Sequence, residues 1–158
     1  MSLDSELKVA LQAQRKKPKQ TFAAIITKVN DDDTVDVKDI TDFPYTKVRL
    51  KASVKELANK LVIYPKVGSN VLVSMIGNDE NTLVISNIDE AEKIKGIINQ
   101  TEFEVDNEGY KINRKGENLK KVLNDFIDEV NKILVVNGTT INVAAVEEIK
   151  LRLNKILK

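Results

Sequence analysis

The carboxylates offer the only catalytic possibility in this chain, whose 158 residues include no Cys and no His. That excludes a thiolate nucleophile, a Cys/His zinc centre and an imidazole general base, and with them Ser-His-Asp and Cys-His catalysis. One acidic cluster stands out, Asp31-Asp32-Asp33. A carboxylate triplet in a turn offers hard oxygen ligands to a cation. The same composition is also that of a solvated turn, and the run lacks the D-x-[DN]-x-[DN]-G pattern of an EF-hand. Gly68 and Gly77 are isolated, and neither G-x-x-x-x-G-K-[ST] nor G-x-G-x-x-G occurs. Asp32 and Asp36 are the residues to test should the fold alone bring carboxylates together. No nucleophile, base and orienter assemble, so the chain is read as non-enzymatic, with no catalytic, cofactor-binding or metal-binding residue assigned.

A second chemistry is single-strand binding, which uses aromatic platforms beside a basic groove. Phe22, Phe43, Tyr45 and Tyr64 stand near Lys47, Arg49 and Lys51, and Tyr45-Thr46-Lys47-Val48-Arg49 is the best such patch. The alternative is that Phe22 belongs to a core while Tyr45 and Tyr64 cap its ends. The chain has no Trp, and 25 Lys+Arg against 24 Asp+Glu leave a net charge of +1. That balance argues against a nucleic-acid-coating protein.

The elements that must position these residues follow from hydrophobic period. Residues 1–20 form a polar arm, with Leu3, Leu7, Ala10 and Leu11 at helical spacing and a basic stop at Arg15-Lys16-Lys17-Pro18-Lys19. Residues 21–95 read as five short strands: Thr21–Val29, Thr34–Lys38, Thr46–Lys51, Asn70–Ile76 and Thr82–Ile88. Phe22, Ala24 and Ile26 share one face, Val48 and Leu50 point inward, and Val71-Leu72-Val73 reads as buried on both faces. Residues 52–63 read as a short helix or ordered loop, with Ser53 as N-cap and Glu56 completing a capping box. Asp89 to Lys95 reads as a turn of helix. Strands of this number and spacing predict a small antiparallel barrel of the OB type.

Residues 96–116 hold a polar β-hairpin, Thr101–Asp106 and Tyr110–Asn113, too small to stand alone. Residues 117–158 change to helical period. Leu119, Leu123, Phe126, Val130 and Ile133 are spaced 4, 3, 4, 3, a heptad seam widened by Val122, Ile127 and Leu134. Asn137-Gly138 stops that helix. A second runs from about Val143 to Leu157 with Val146, Ile149, Leu153 and Ile156 at 3, 4, 3. The fold class is therefore mainly β with C-terminal α: barrel, β-hairpin, then helical hairpin. The expected oligomer or partner contacts are Leu119, Val122, Leu123, Phe126, Val130, Ile133, Val146, Ile149, Leu153 and Ile156. No signal peptide or membrane span is legible, which predicts a chain made in the cytoplasm without a membrane partner.

Pro65-Lys66-Val67-Gly68-Ser69-Asn70-Val71-Leu72-Val73, with Lys47-Val48-Arg49-Leu50 before it and Leu83-Val84-Ile85 and Asp89-Glu90 after it, resembles the OB-fold domain of phage baseplate hub and central-spike proteins. Relatives of that family occur in contractile injection systems, including type VI secretion. Asn118-Leu119-Lys120-Lys121-Val122-Leu123-Asn124-Asp125-Phe126-Ile127 is similar to a helix in short spike or baseplate proteins. The resemblance implies a structural protein on the tail axis, located in the virion, a homotrimer that contacts other baseplate proteins. No run of repeated short strands and no His-x-His tip follows, so a piercing needle is not expected. The competing expectation is an OB-fold single-stranded nucleic-acid-binding module with a helical oligomerisation tail.

Overall fold

The computed structural model describes residue 7 and residues 21–53, 55, 57–77, 79–133, 138 and 141–158. The barrel forms as its alternation requires. Strands β1 (Thr21–Val29), β2 (Thr34–Asp39), β3 (Pro44–Arg49), β5 (Asn70–Ile76) and β6 (Asp79–Ile88) close in the order β1-β2-β3-β6-β5. All neighbours are antiparallel except β3 and β6, which meet in parallel at Arg49 and Val84. This is an OB-like closure. The inward positions are small and β-branched: Ala24, Ile26, Val35, Val37, Val48, Val71, Val73 and Leu83 form one buried cluster. Short, stiff side chains fill a narrow barrel without strain. Phe22, Tyr45 and Leu50 pack against this cluster from its margins.

Three expectations change. Leu72 is exposed on the outer wall while Val71 and Val73 are buried, so β5 is covered on one face only. The capping box at Ser53 does not open a helix. The Ser53 Oγ accepts the Lys55 N–H at 3.1 Å in a bend, and Glu56 lies outside the described residues. The chain then enters β4 (Lys60–Pro65), a strand where none was expected. The expected turn of helix near Asp89 is likewise the approach to a strand, β7 (Ala91–Ile98).

These two strands build a second sheet. With β8 (Thr101–Asp106), β9 (Gly109–Arg114) and β10 (Glu117–Asn118) they run in the order β10-β9-β8-β7-β4, each pair antiparallel. The hairpin expected at residues 101–113 is therefore not an isolated ribbon. It extends a five-stranded sheet that borrows β4 from between two barrel strands. The 95/96 division expected from sequence falls within β7.

Helix α1 (Leu119–Asn131) follows β10 directly, and α2 (Val143–Ile156) returns antiparallel to it. Asn118 and Asn142 cap them, each side chain accepting the N–H three residues on, from Lys121 and Ala145. Helix α1 ends at Asn131, so Ile133 lies beyond it and is exposed. Leu134, Asn137 and the expected arm helix lie outside the described residues, except that Leu7 is helical and exposed. No helix among the described residues is long and apolar enough to cross a membrane.

Candidate functional site

The acidic triplet divides. Asp31 and Asp32 are exposed, and Asp32 accepts the Thr34 hydroxyl at 2.5 Å. Asp33 adopts φ +57° and turns inward, leaving only 4% of its surface exposed. Its Oδ2 takes Lys51 Nζ and Lys60 Nζ, both at 2.7 Å, and its Oδ1 takes the Tyr64 hydroxyl at 2.5 Å. Burial alone would raise this carboxyl, but hydrogen bonds from Lys51, Lys60 and Tyr64 overcome it and hold Asp33 far below the usual carboxylate range. The partners come from the bend after β3 (Lys51) and from β4 (Lys60 and Tyr64), so the cluster bolts the barrel to the second sheet. Two ammonium groups on one oxygen leave that carboxylate little capacity as a cation ligand. Asp36 is likewise committed, its Oδ1 accepting from Asn30 Nδ2 at 3.1 Å and from the Lys47 N–H at 3.0 Å. Among the described residues no three His, Cys, Asp or Glu side chains converge on a possible metal position.

The aromatic patch is built differently from a stacking platform. Tyr45 lies between Phe22 and Phe43, with ring centroids 5.0 and 5.1 Å away, and is half-buried against the barrel core. Its hydroxyl is pushed up by burial, and then by the Asp39 and Glu80 carboxylates. Carboxylates beside the ring oppose an approaching phosphate. Tyr64 is engaged with Asp33, and Lys93 Nζ lies 4.5 Å from its ring centroid. Of the four aromatics proposed for base stacking, only Phe43 is exposed.

The second sheet separates polarity by face. Register places Leu61, Gly96, Phe103 and Ile112 in one row across four strands, and Ile63, Ile94, Val105 and Tyr110 in the next. Alternation therefore collects both rows on one face. Gly96 has a definite role there. A Cβ at that position would lie 2.1 Å from the Phe103 ring, so only glycine lets the ring lie flat across β7. The opposite face carries Val62, Lys95, Glu104 and Lys111 in one row, and Lys95 pairs with Glu102 at 2.9 Å. Unlike the barrel interior, the apolar face is only partly covered by the described residues: Gly96 is buried and Ile94 and Val105 are half-buried, while Leu61, Ile63, Ile98, Phe103, Tyr110 and Ile112 remain exposed.

The helical hairpin leaves the same kind of surface. Of the ten expected contact residues, Leu123, Val130, Val146 and Leu153 are half-buried, while Leu119, Val122, Phe126, Ile133, Ile149 and Ile156 are exposed. The seam between the helices is turned off the heptad stripe and is partly polar. Asn124 Nδ2 donates to Asn154 Oδ1 at 3.1 Å, Asn131 Nδ2 to Glu147 Oε1 at 2.6 Å, and Lys150 pairs with Asp128. Ile127, expected only to widen the stripe, is the one buried residue within α1. Sequence period locates such a stripe but does not say which flank a neighbour covers.

The end of α2 explains where the hairpin sits. Leu157 is buried and bridges to Tyr110, the Lys158 N–H bonds the Tyr110 carbonyl at 2.9 Å, and Lys158 Nζ reaches Glu104 and Asp106. Burial opposes the Lys158 charge, but the Asp106 and Glu104 carboxylates raise its pKa on balance. Both carboxylates lie on the polar face, so the hairpin is held at the β9 edge and away from the apolar rows. Gly109 permits this approach, since a Cβ there would meet the Ile156 carbonyl oxygen at 2.4 Å. No family model matches this chain, and no curated protein or solved structure matches it.

Proposed function

We propose that this protein is a structural assembly component, a hub or spike-base subunit of a phage or phage-like tail baseplate, acting as a homotrimer on the tail axis. The observation that carries the assembly part is the apolar face of the second sheet, two four-residue rows in cross-strand register of which Leu61, Ile63, Phe103, Tyr110 and Ile112 are exposed. An exposed apolar face of this extent is the mark of an interaction surface. The OB-like barrel and the sequence resemblance supply the tail setting, by analogy of fold. The reading involves no turnover: the barrel is the rigid mount and the apolar faces make the contacts.

Light scattering behind size exclusion, at two concentrations, tests the assembly. A stable trimer of the 17.7 kDa chain is the expected result. A monomer at both concentrations overturns it. The tail setting is tested separately by antibody labelling of particles released from the source cell: label at the baseplate supports it, and label confined to unassembled protein overturns it. Single-strand binding is the second reading. The exposed Phe43 and Lys47 favour it, the carboxylates around Tyr45 oppose it, and a shift of labelled single strands at low salt that disappears in Lys47→Ala and Arg49→Ala variants would establish it.

A further inference from the structure

Among the described residues two apolar faces are left exposed, and the topology keeps them apart. One is the sheet face, centred on Phe103 with Leu61, Ile98 and Ile112 around it. The other is the outer stripe of the helical hairpin: Leu119, Val122 and Phe126 on α1, and Ile149 and Ile156 on α2. On α1 these positions follow spacings of 3 and 4, and on α2 a spacing of 7, so each set lies along one side of its helix. In both helices the covered seam is rotated off the apolar stripe in the same sense. In an antiparallel pair, equal rotations bring both stripes to the same side of the hairpin. The hairpin is therefore a slab whose exposed apolar residues gather mainly on one side, with Leu151 of α2 apart from them, and the sheet is another.

A helix layer over the apolar face of a sheet is the ordinary way to complete such a core. Among the described residues the helices of the same chain do not do this. The α2 end is tied through Lys158 to Glu104 and Asp106 on the opposite face, and the principal helix contacts to the sheet are with β9 and β10 at its edge. We infer that the helical hairpin of one copy lies on the sheet face of the next, so that the subunits join head to tail and close into a ring. The two faces are comparable in size. At 150–200 Å² for a large side chain, these residues expose roughly 300–400 Å² on the sheet and roughly 400–500 Å² on the hairpin, so the apolar centre of one contact buries roughly 800 Å², and its polar rim brings the whole to about the lower limit of a specific interface. A contact between unlike faces repeats around a cyclic assembly, and each subunit then has both faces covered. This inference rests on the self-association proposed above and specifies which surfaces meet.

The chain has no Cys, which makes the test direct. Leu61→Cys and Phe126→Cys alter side chains that are 63% and 65% exposed, so neither should disturb folding. The two variants, carrying different tags, are co-expressed and treated with a short bismaleimide, whose reach tolerates a register that a disulfide would not. The expected result is a mixed Leu61→Cys/Phe126→Cys species, with neither variant linking to itself. Self-linking of Leu61→Cys overturns the inference in favour of sheet against sheet, and self-linking of Phe126→Cys in favour of helix against helix. An oligomer with no mixed product also overturns it while leaving self-association intact. A monomer by light scattering overturns both. As a second measure, Phe126→Glu should abolish association and leave the circular dichroism spectrum unchanged; retained association counts against the hairpin as a contact surface.

Discussion

The barrel and the second sheet are both five-stranded and both alternate, yet they treat their apolar residues in opposite ways. The barrel closes on itself, so each inward valine meets others across a sealed interior. The second sheet stays open and presents its apolar rows outward. Closure provides a core without help from another layer; an open sheet needs one. A residue in the first region therefore contributes to the stability of the single chain, and its counterpart in the second contributes through a neighbour.

The sharpest way to break this comparison is to truncate one isoleucine in each region. Ile26 is 1% exposed in the barrel, and Ile26→Ala should cost about 4 kcal/mol in urea unfolding, from lost burial and the cavity left behind. Ile112→Ala, on the open face, should cost the monomer under about 1 kcal/mol and instead weaken association. Equal losses from both in a dilute, monomeric sample would mean that the second face is covered within one chain.

The joint between the regions comes next. Asp33→Asn keeps a residue type that tolerates positive φ but removes the charge facing Lys51 and Lys60. The expected loss is about 3 kcal/mol. The folded pKa of Asp33 lies below its unfolded value near 3.9, so its contribution is complete above that pH and falls away as pH drops toward the folded value. Wild type should therefore lose stability below about pH 4 more steeply than the variant. Parallel acid titrations would count against the bolt.

The smallest effect belongs to the hairpin seam. Asn124 Oδ1 is buried without a hydrogen-bond partner among the described residues. Replacing Asn124 and Asn154 together by leucine removes both partners of their bond and should leave the melting temperature equal or slightly higher, worth up to about 1 kcal/mol. A clear drop would show that the asparagine pair sets the helix register.

Much of the barrel was legible because a half-buried strand writes its pleat into alternate residues: Ala24, Ile26, Val35, Val37 and Val48 all fall where alternation places them. β4 was obscured because Leu61-Val62-Ile63 is apolar without alternation and sits behind a capping-box-like run. β7 was obscured by Ala91-Glu92-Lys93, whose charges lie at the sheet rim. Asp33 could not be singled out, since three adjacent aspartates look alike until Lys51, Lys60 and Tyr64 arrive from 18 to 31 residues away. Both helices were visible in their heptads, but the flank each one covers follows pairings that the heptads do not show, Asn124 with Asn154 and Lys150 with Asp128.

The excursion of β4 out of the barrel sequence and into the second sheet governs how the chain must be made. During synthesis β4 emerges after β3 and has no strand to pair with until β7 follows, although Lys60 and Tyr64 already have Asp33 to bond to. Between β4 and β7, β5 and β6 arrive and the barrel can close. Until β7 pairs with it, β4 presents Leu61, Val62 and Ile63 with bare hydrogen-bonding edges on both sides, the condition in which strands recruit the wrong neighbour. A shuffled or shortened gene that ends at Asp89 would retain every barrel strand and still carry this orphan. A barrel moved as a cassette would therefore bring with it an exposed strand that only the second sheet completes.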